Sequence, residues 1–241
     1  FGVGEPTGIS LPNESAGLVP TREWKRERFD EPWQGGENLN MAIGQGFTLV
    51  TPLQVARFIS ALANGGRILK PNLRNSSTPI VQGALPLKES YRQRILDAMV
   101  ETVEHGRGTA RTIQRHDVQL GAKTGTAQVV SIGKIRRKVH EMPYEHRDHA
   151  WLATWGRSEG KDYVVVVLVE HGGHGGSAAG PLVKSIYEYL FGPEPLIEGE
   201  QPVAGRTNVV GDEGNVYVPP PPMGENAGEQ EPGPRIRFGL E

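Results

Sequence analysis

The 241 residues can hold one large domain, or one domain and a tail, and the 37% of apolar residues suffices for a real core. A formal charge of −2, with both signs mixed along the chain, removes any global reason to expect nucleic acid or an acidic membrane surface as partner. Cysteine is absent, which excludes disulfides and thiolate metal sites, and the longest apolar run, Tyr163 to Val169, is far short of the roughly 20 residues that cross a bilayer.

Phe1 opens a Gly/Pro-rich stretch with neither an initiator methionine nor a helix start, so the sequence is expected to be the middle of something longer. Residues 1–46 read as ordered loop anchored by buried Trp24 and Trp33 rather than as regular elements. The first clear helix begins at Thr51, which can cap, with Pro52 suited to the first turn and Gln54 placed to bond back. Its apolar residues Val55, Ala56, Ile59, Leu62 and Ala63 repeat at helical spacing and stop at Asn64-Gly65-Gly66. A second helix is expected from Lys88 to His105, with Tyr91, Ile95, Met99 and Val103 on its buried face and Gly106 ending it. Three strands follow, at 120–131, 149–157 and 162–170, the last two joined by a Ser158-Glu159-Gly160 turn. The third is apolar on both faces and should lie centrally in a sheet with helices on both sides. A last helix, Ala179 to Phe191, should bury Leu182, Val183, Ile186, Tyr187 and Leu190 and stop at Gly192-Pro193. From Pro193 onward the composition changes: nine of the nineteen prolines fall there, four of them consecutive at 219–222. Residues 193–241 are therefore expected to form a disordered Pro/Gly-rich tail.

The sharpest chemical signal is Lys123-Thr124-Gly125-Thr126, on the first of the three strands. A Lys-Thr-Gly strand accompanies an SxxK nucleophile and an SxN or SDN element in serine acyl-transferases and hydrolases that recognise β-lactams. A substrate ending in a free carboxylate needs a fixed cation and hydroxyl donors, which Lys123, Thr124 and Thr126 supply, while Gly125 lets another backbone come close. An exposed strand edge can pair with an extended peptide and bring the scissile carbonyl to the Thr126 amide, an oxyanion donor. Alone, the three residues would as readily be a strand whose lysine points into water. The two further strands and the closing helix favour the clamp.

Thr7-Gly-Ile-Ser-Leu-Pro-Asn-Glu-Ser-Ala-Gly17, Pro20-Thr-Arg-Glu-Trp-Lys25, Ala42-Ile-Gly-Gln-Gly46, Thr51-Pro-Leu-Gln54, Ala63-Asn-Gly-Gly66, Lys123-Thr-Gly-Thr-Ala-Gln128 and Arg147-Asp-His149 occur in the order found in class B penicillin-binding proteins. The chain resembles that family over about residues 1–192. The Pro20–Lys25 segment, the Trp33-Gln-Gly-Gly36 turn and Arg147–His149 are more similar to its elongation members, penicillin-binding protein 2, than to the division-specific ones. The resemblance implies an α/β (α+β) unit: the C-terminal portion of a penicillin-binding/β-lactamase-like transpeptidase domain, an antiparallel sheet flanked by helices. It implies a peptidoglycan D,D-transpeptidase of the inner membrane with a periplasmic catalytic domain. Its partners would be stem peptides, β-lactams and a membrane glycan polymerase. Lys123, Thr124 and Gly125 match the third family motif and Thr126 the oxyanion position. The SxxK and SxN elements would lie upstream of Phe1, so the chain alone should not turn over substrate. A non-catalytic β-lactam or peptidoglycan-binding sensor and a β-lactamase are the other readings.

Two decoys occur. Ser131-Ile-Gly-Lys134 and Ser158-Glu-Gly-Lys161 fit SxxK, but both follow the Lys-Thr-Gly strand in or beside a hairpin connection, where no buried helix start is available. His140, Glu141, Glu145, His146, Asp148 and His149 read as a solvated polar loop rather than a metal cluster, and Lys134–Lys138 as a solvated basic turn. His149 is expected to be structural. His171-Gly-Gly-His-Gly-Gly176 reads equally as a tight connection or a wall of the cleft, and no cofactor is expected.

Overall fold

The computed structural model describes residues 1–74, 78–129 and 141–195. Residues 1–46, expected to be loop, contain two short helices, α1 (Arg22–Phe29) and α2 (Gly35–Ala42). Thr21 caps α1 by accepting from the Trp24 N–H at 3.1 Å, and the Glu37 carboxylate accepts from the Gln34 N–H at the start of α2. The buried residues here are Thr7, Pro20 and Lys25, the last 4% exposed, and not the tryptophans; Trp24 and Trp33 are half-buried. Lys25 can be buried because its ammonium donates to Pro32 O at 3.1 Å and pairs with Glu37, which ties α1 to α2. The hydrogen bond from Lys25 to Glu37 holds the Glu37 carboxyl below the usual glutamate range. A lowered acid stabilises the fold above its unfolded pKa and loses that contribution as pH falls through the folded value. The tryptophan fluorescence of the protein is therefore expected to show an acid step below the ordinary glutamate range that Glu37→Gln abolishes; a step unchanged in that variant counts against the link.

Helix α3 (Pro52–Ala63) starts as its sequence predicts. Thr51 Oγ1 accepts from the Gln54 N–H at 3.1 Å and Gln54 Oε1 accepts from the Thr51 N–H at 2.9 Å. Gln54 also donates to Glu5 O and Ala16 O at 2.9 and 2.8 Å, holding the preceding loops against the helix. A hairpin not anticipated from the sequence follows, β1 (Arg67–Leu69) paired antiparallel with β2 (Val81–Ala84). Helix α4 (Glu89–Glu104) has the expected span but a different buried face: Leu96, Met99 and Val103 are buried, whereas Tyr91 and Ile95 are 52% and 38% exposed. Each four-residue step turns about 40° past a full turn, so the row from Tyr91 to Val103 winds off the core side.

The expected strands are present as β3 (Gln119–Ala127), β4 (His149–Ser158) and β5 (Lys161–Val169), antiparallel in the order β3-β4-β5. Among the described residues β4, not β5, is the middle strand. The double-faced apolarity of β5 has another cause: Val164 and Val166 pack toward Ile59, Leu62 and Met99, and Val165 and Val167 toward Val183 and Tyr187. Helices α3 and α4 thus cover one face, and α6 (Gly180–Phe191), preceded by the single turn α5 (Gly175–Ala178), covers the other. Of the expected α6 core, Val183 and Tyr187 are fully buried and Ile186 is exposed. Thr154 Oγ1 on β4 donates to Val165 O at 2.8 Å and lies 2.7 Å from Tyr187 OH, so the tyrosine is the donor of that pair. The packed chain continues past Gly192: buried Arg115 donates to Gly192 O, and Glu194 accepts from the His116 N–H, both at 2.9 Å. The tail expected from Pro193 onward lies outside the described residues after Pro195.

Candidate functional site

Alternation along β3 puts Leu120, Ala122, Thr124 and Thr126 on the α6 face and Gly121, Lys123 and Gly125 on the other. Lys123 and the two threonines therefore meet only at the strand's edge. No described strand pairs with that edge. Its main-chain groups are those of Thr124 and Thr126: Thr124 O accepts from Lys123 Nζ, and Thr126 O accepts from Gln45 Nε2 at 2.8 Å. In an antiparallel strand N–H and C=O of one residue point to the same side, so the Thr126 amide faces this edge too. One strand edge thus offers a cation, two hydroxyls and an amide donor, a set suited to a carboxylate and an adjoining carbonyl oxygen.

Neighbouring segments hold the strand in place. Thr124 Oγ1 lies 3.0 Å from Thr109 Oγ1, in the turn after α4. Gly125 pairs with Trp151 on β4, and a Cβ at Gly125 would stand 3.1 Å from Trp151 Cβ, so the glycine accommodates an indole from its own sheet. The turn α5 presses on the same place: a Cβ at Gly175 would fall 2.1 Å from Trp151 O and 3.0 Å from Gly125 O, and one at Gly176 2.1 Å from Thr109 O.

Arg147–His149 and the His171–Gly176 segment, separate in the sequence, form one joint. The His171 N–H donates to His149 Nδ1 at 2.9 Å, the His171 ring contacts Arg147 O at 3.1 Å, and the Gly173 N–H donates to Asp148 O at 2.8 Å. The two imidazoles meet edge to face at 4.7 Å, which gives His149 its structural role at the start of β4, opposite Ala127. Among the described residues no three His, Asp or Glu side chains gather as a metal site. Ser158 closes the β4–β5 hairpin with its hydroxyl on Asp117 O, and Lys161 faces it across the turn, so this SxxK pair has no helix start. The other pair, the basic run 134–138 and His140 lie outside the described residues. Sequence reasoning missed Thr109 and Gln45. The Ala42–Gly46 match pointed to the latter's segment but not to its bond with β3.

The family described as the penicillin binding protein transpeptidase domain matches residues 1–188. The chain is 34% identical over 200 residues to the peptidoglycan D,D-transpeptidase MrdA of Acinetobacter baumannii, covering 78% of this chain and 29% of that protein. It is 32% identical to the Haemophilus influenzae MrdA, over 79% of this chain and 31% of the relative. Among solved structures, the penicillin-binding protein 2 of Helicobacter pylori, in complex with MreC, matches at 37% identity with a TM-score of 0.65, over 79% of this chain and 34% of that one. The Pseudomonas aeruginosa penicillin-binding protein 2 matches at 29% identity and a TM-score of 0.66, over 83% and 44%. The chain spans about a third of the length of the curated relatives it matches. With this match over most of its length, and the Lys-Thr-Gly strand at the edge of its sheet, the chain belongs to the penicillin-binding protein transpeptidase family.

Proposed function

We propose that this chain is the donor-peptide-binding part of a peptidoglycan D,D-transpeptidase, most like the penicillin-binding protein 2 of cell elongation. The observation that carries the reading is the edge of β3, where Lys123, Thr124 and the Thr126 amide come together with no described strand alongside. In this reading Lys123, Thr124 and Thr126 bind the terminal carboxylate of a stem peptide, Gly125 keeps the strand against Trp151, and the Thr126 N–H donates to the carbonyl oxygen as it becomes an oxyanion. A serine of an SxxK element, supplied by sequence outside this chain, attacks the carbonyl carbon. The C–N bond to the terminal D-alanine breaks, and its nitrogen leaves protonated. An amine of a second stem then attacks the ester and releases the serine, so atoms balance over the cycle. β-Lactams stop at the acyl-enzyme.

On composition, the sequence from Pro193 onward is assigned to a Pro/Gly-rich tail, although its first residues pack with the domain through Glu194. The proposed setting is the inner membrane with the domain in the periplasm. The proposed partners are an MreC-type protein, as for the Helicobacter pylori relative, and a membrane glycan polymerase. The test is incubation of the full-length protein with fluorescent penicillin. Covalent label that survives denaturation, and is lost when the SxxK serine is replaced by alanine, is expected; reversible binding without covalent label would make the protein a binding module instead.

A further inference from the structure

The edge of β3 is not empty where a peptide would lie. Gln45, 81 residues away in sequence, donates from Nε2 to Thr126 O at 2.8 Å, and its Oε1 accepts from the Gln128 N–H at 3.4 Å. One side-chain amide thus gives to a carbonyl and takes from the N–H two residues on, as a single residue of an added parallel strand does through its own N–H and C=O. The segment carrying it allows this reach: Gly44 and Gly46, on either side, both have left-handed φ, at 75° and 80°. In an antiparallel pair, a ligand residue whose carbonyl oxygen meets the Thr126 N–H also directs its own N–H at Thr126 O. That acceptor is the one Gln45 holds.

We propose that Gln45 is a stand-in strand that the N–H of an acylated residue must displace from Thr126 O, so that Gln45 slows ligands that carry this N–H and leaves those without it unaffected. This rests on β3 being the donor-peptide strand. Ligands with the N–H replace the lost bond on docking; ligands without it leave Gln45 in place and gain nothing from its removal.

The experiment uses the full-length protein and its Gln45→Ala and Gln45→Met variants, the latter keeping nearly the same volume without a donor. Acylation rates are measured with fluorescent penicillin, which has an acylamino N–H, and with a carbapenem, which has none, by competition against the label. Removing one competing hydrogen bond is expected to speed acylation by penicillin ~2- to 10-fold and to change the carbapenem rate less than ~2-fold. Thermal midpoints of the variants check folding, and Gln45→Met carries the test if Gln45→Ala melts early. Penicillin rates that are unchanged or slower in a folded variant, or equal acceleration for both ligands, overturn the proposal while leaving the transpeptidase reading intact. A wild-type protein that takes no label overturns both.

Discussion

Lys123→Ala in the full-length protein is expected to lower the second-order rate of acylation by penicillin at least ~10-fold. The side chain is exposed, and its ammonium rests on Thr124 O, a contact that a ligand carboxylate replaces without loss. A charge-assisted bond is worth about 1.5–3 kcal/mol, and one decade in rate corresponds to about 1.4 kcal/mol. Because the lysine packs against nothing in the core, the thermal midpoint should stay within a degree or two of wild type, on the order of what an exposed substitution does. Unaltered labelling kinetics in this variant would remove the carboxylate role from β3.

Gly175→Ala is expected to have the largest structural effect. The added Cβ would fall on Trp151 O and near Gly125 O, main-chain atoms of β4 and β3 that no rotamer change can move. Either α5 lifts or the two strands shift, at roughly 2–3 kcal/mol, which in a domain of this size lowers the midpoint by about 4–12 °C. Labelling should fall with it, since the strand that shifts carries Lys123 and Thr126. Gly36→Ala is the contrast: nothing lies within 4 Å of a Cβ there, and in the first turn of α2 the change is expected to gain less than the ~1 kcal/mol of a helix interior. A Gly175→Ala protein with the wild-type midpoint would mean that α5 is not seated as described.

Local signals carried well where they were complete within a few residues. Thr51, Pro52 and Gln54 form a reciprocal cap that needs no distant partner, and α3 starts there. The three strands were legible for the same reason, since nine- and ten-residue β-rich runs outlast the ambiguity of short segments. The hairpin β1–β2 was not: three- and four-residue strands have no room for alternation. Helices α1 and α2 were hidden by the glycines and prolines around them, although Thr21 stands at a capping position. Lys25 could not be placed, because its burial depends on Glu37 twelve positions later. At the site, Lys123 to Thr126 announce themselves by type and order. Thr109 and Gln45 join them only through folding, as a hydroxyl and an amide with no local pattern to mark them.

The joint between His149 and His171 bears on how this region can vary. Because Arg147 O and Asp148 O are already bonded to the segment after β5, the chain enters β4 from a fixed point whatever route it takes from the end of β3. The pairing of Thr126 with Ala150 is then insulated from the length and sequence of that connection. Insertions or exchanges between these two strands can accumulate among relatives, or be engineered to carry a tag, without displacing the edge at which the peptide is proposed to dock.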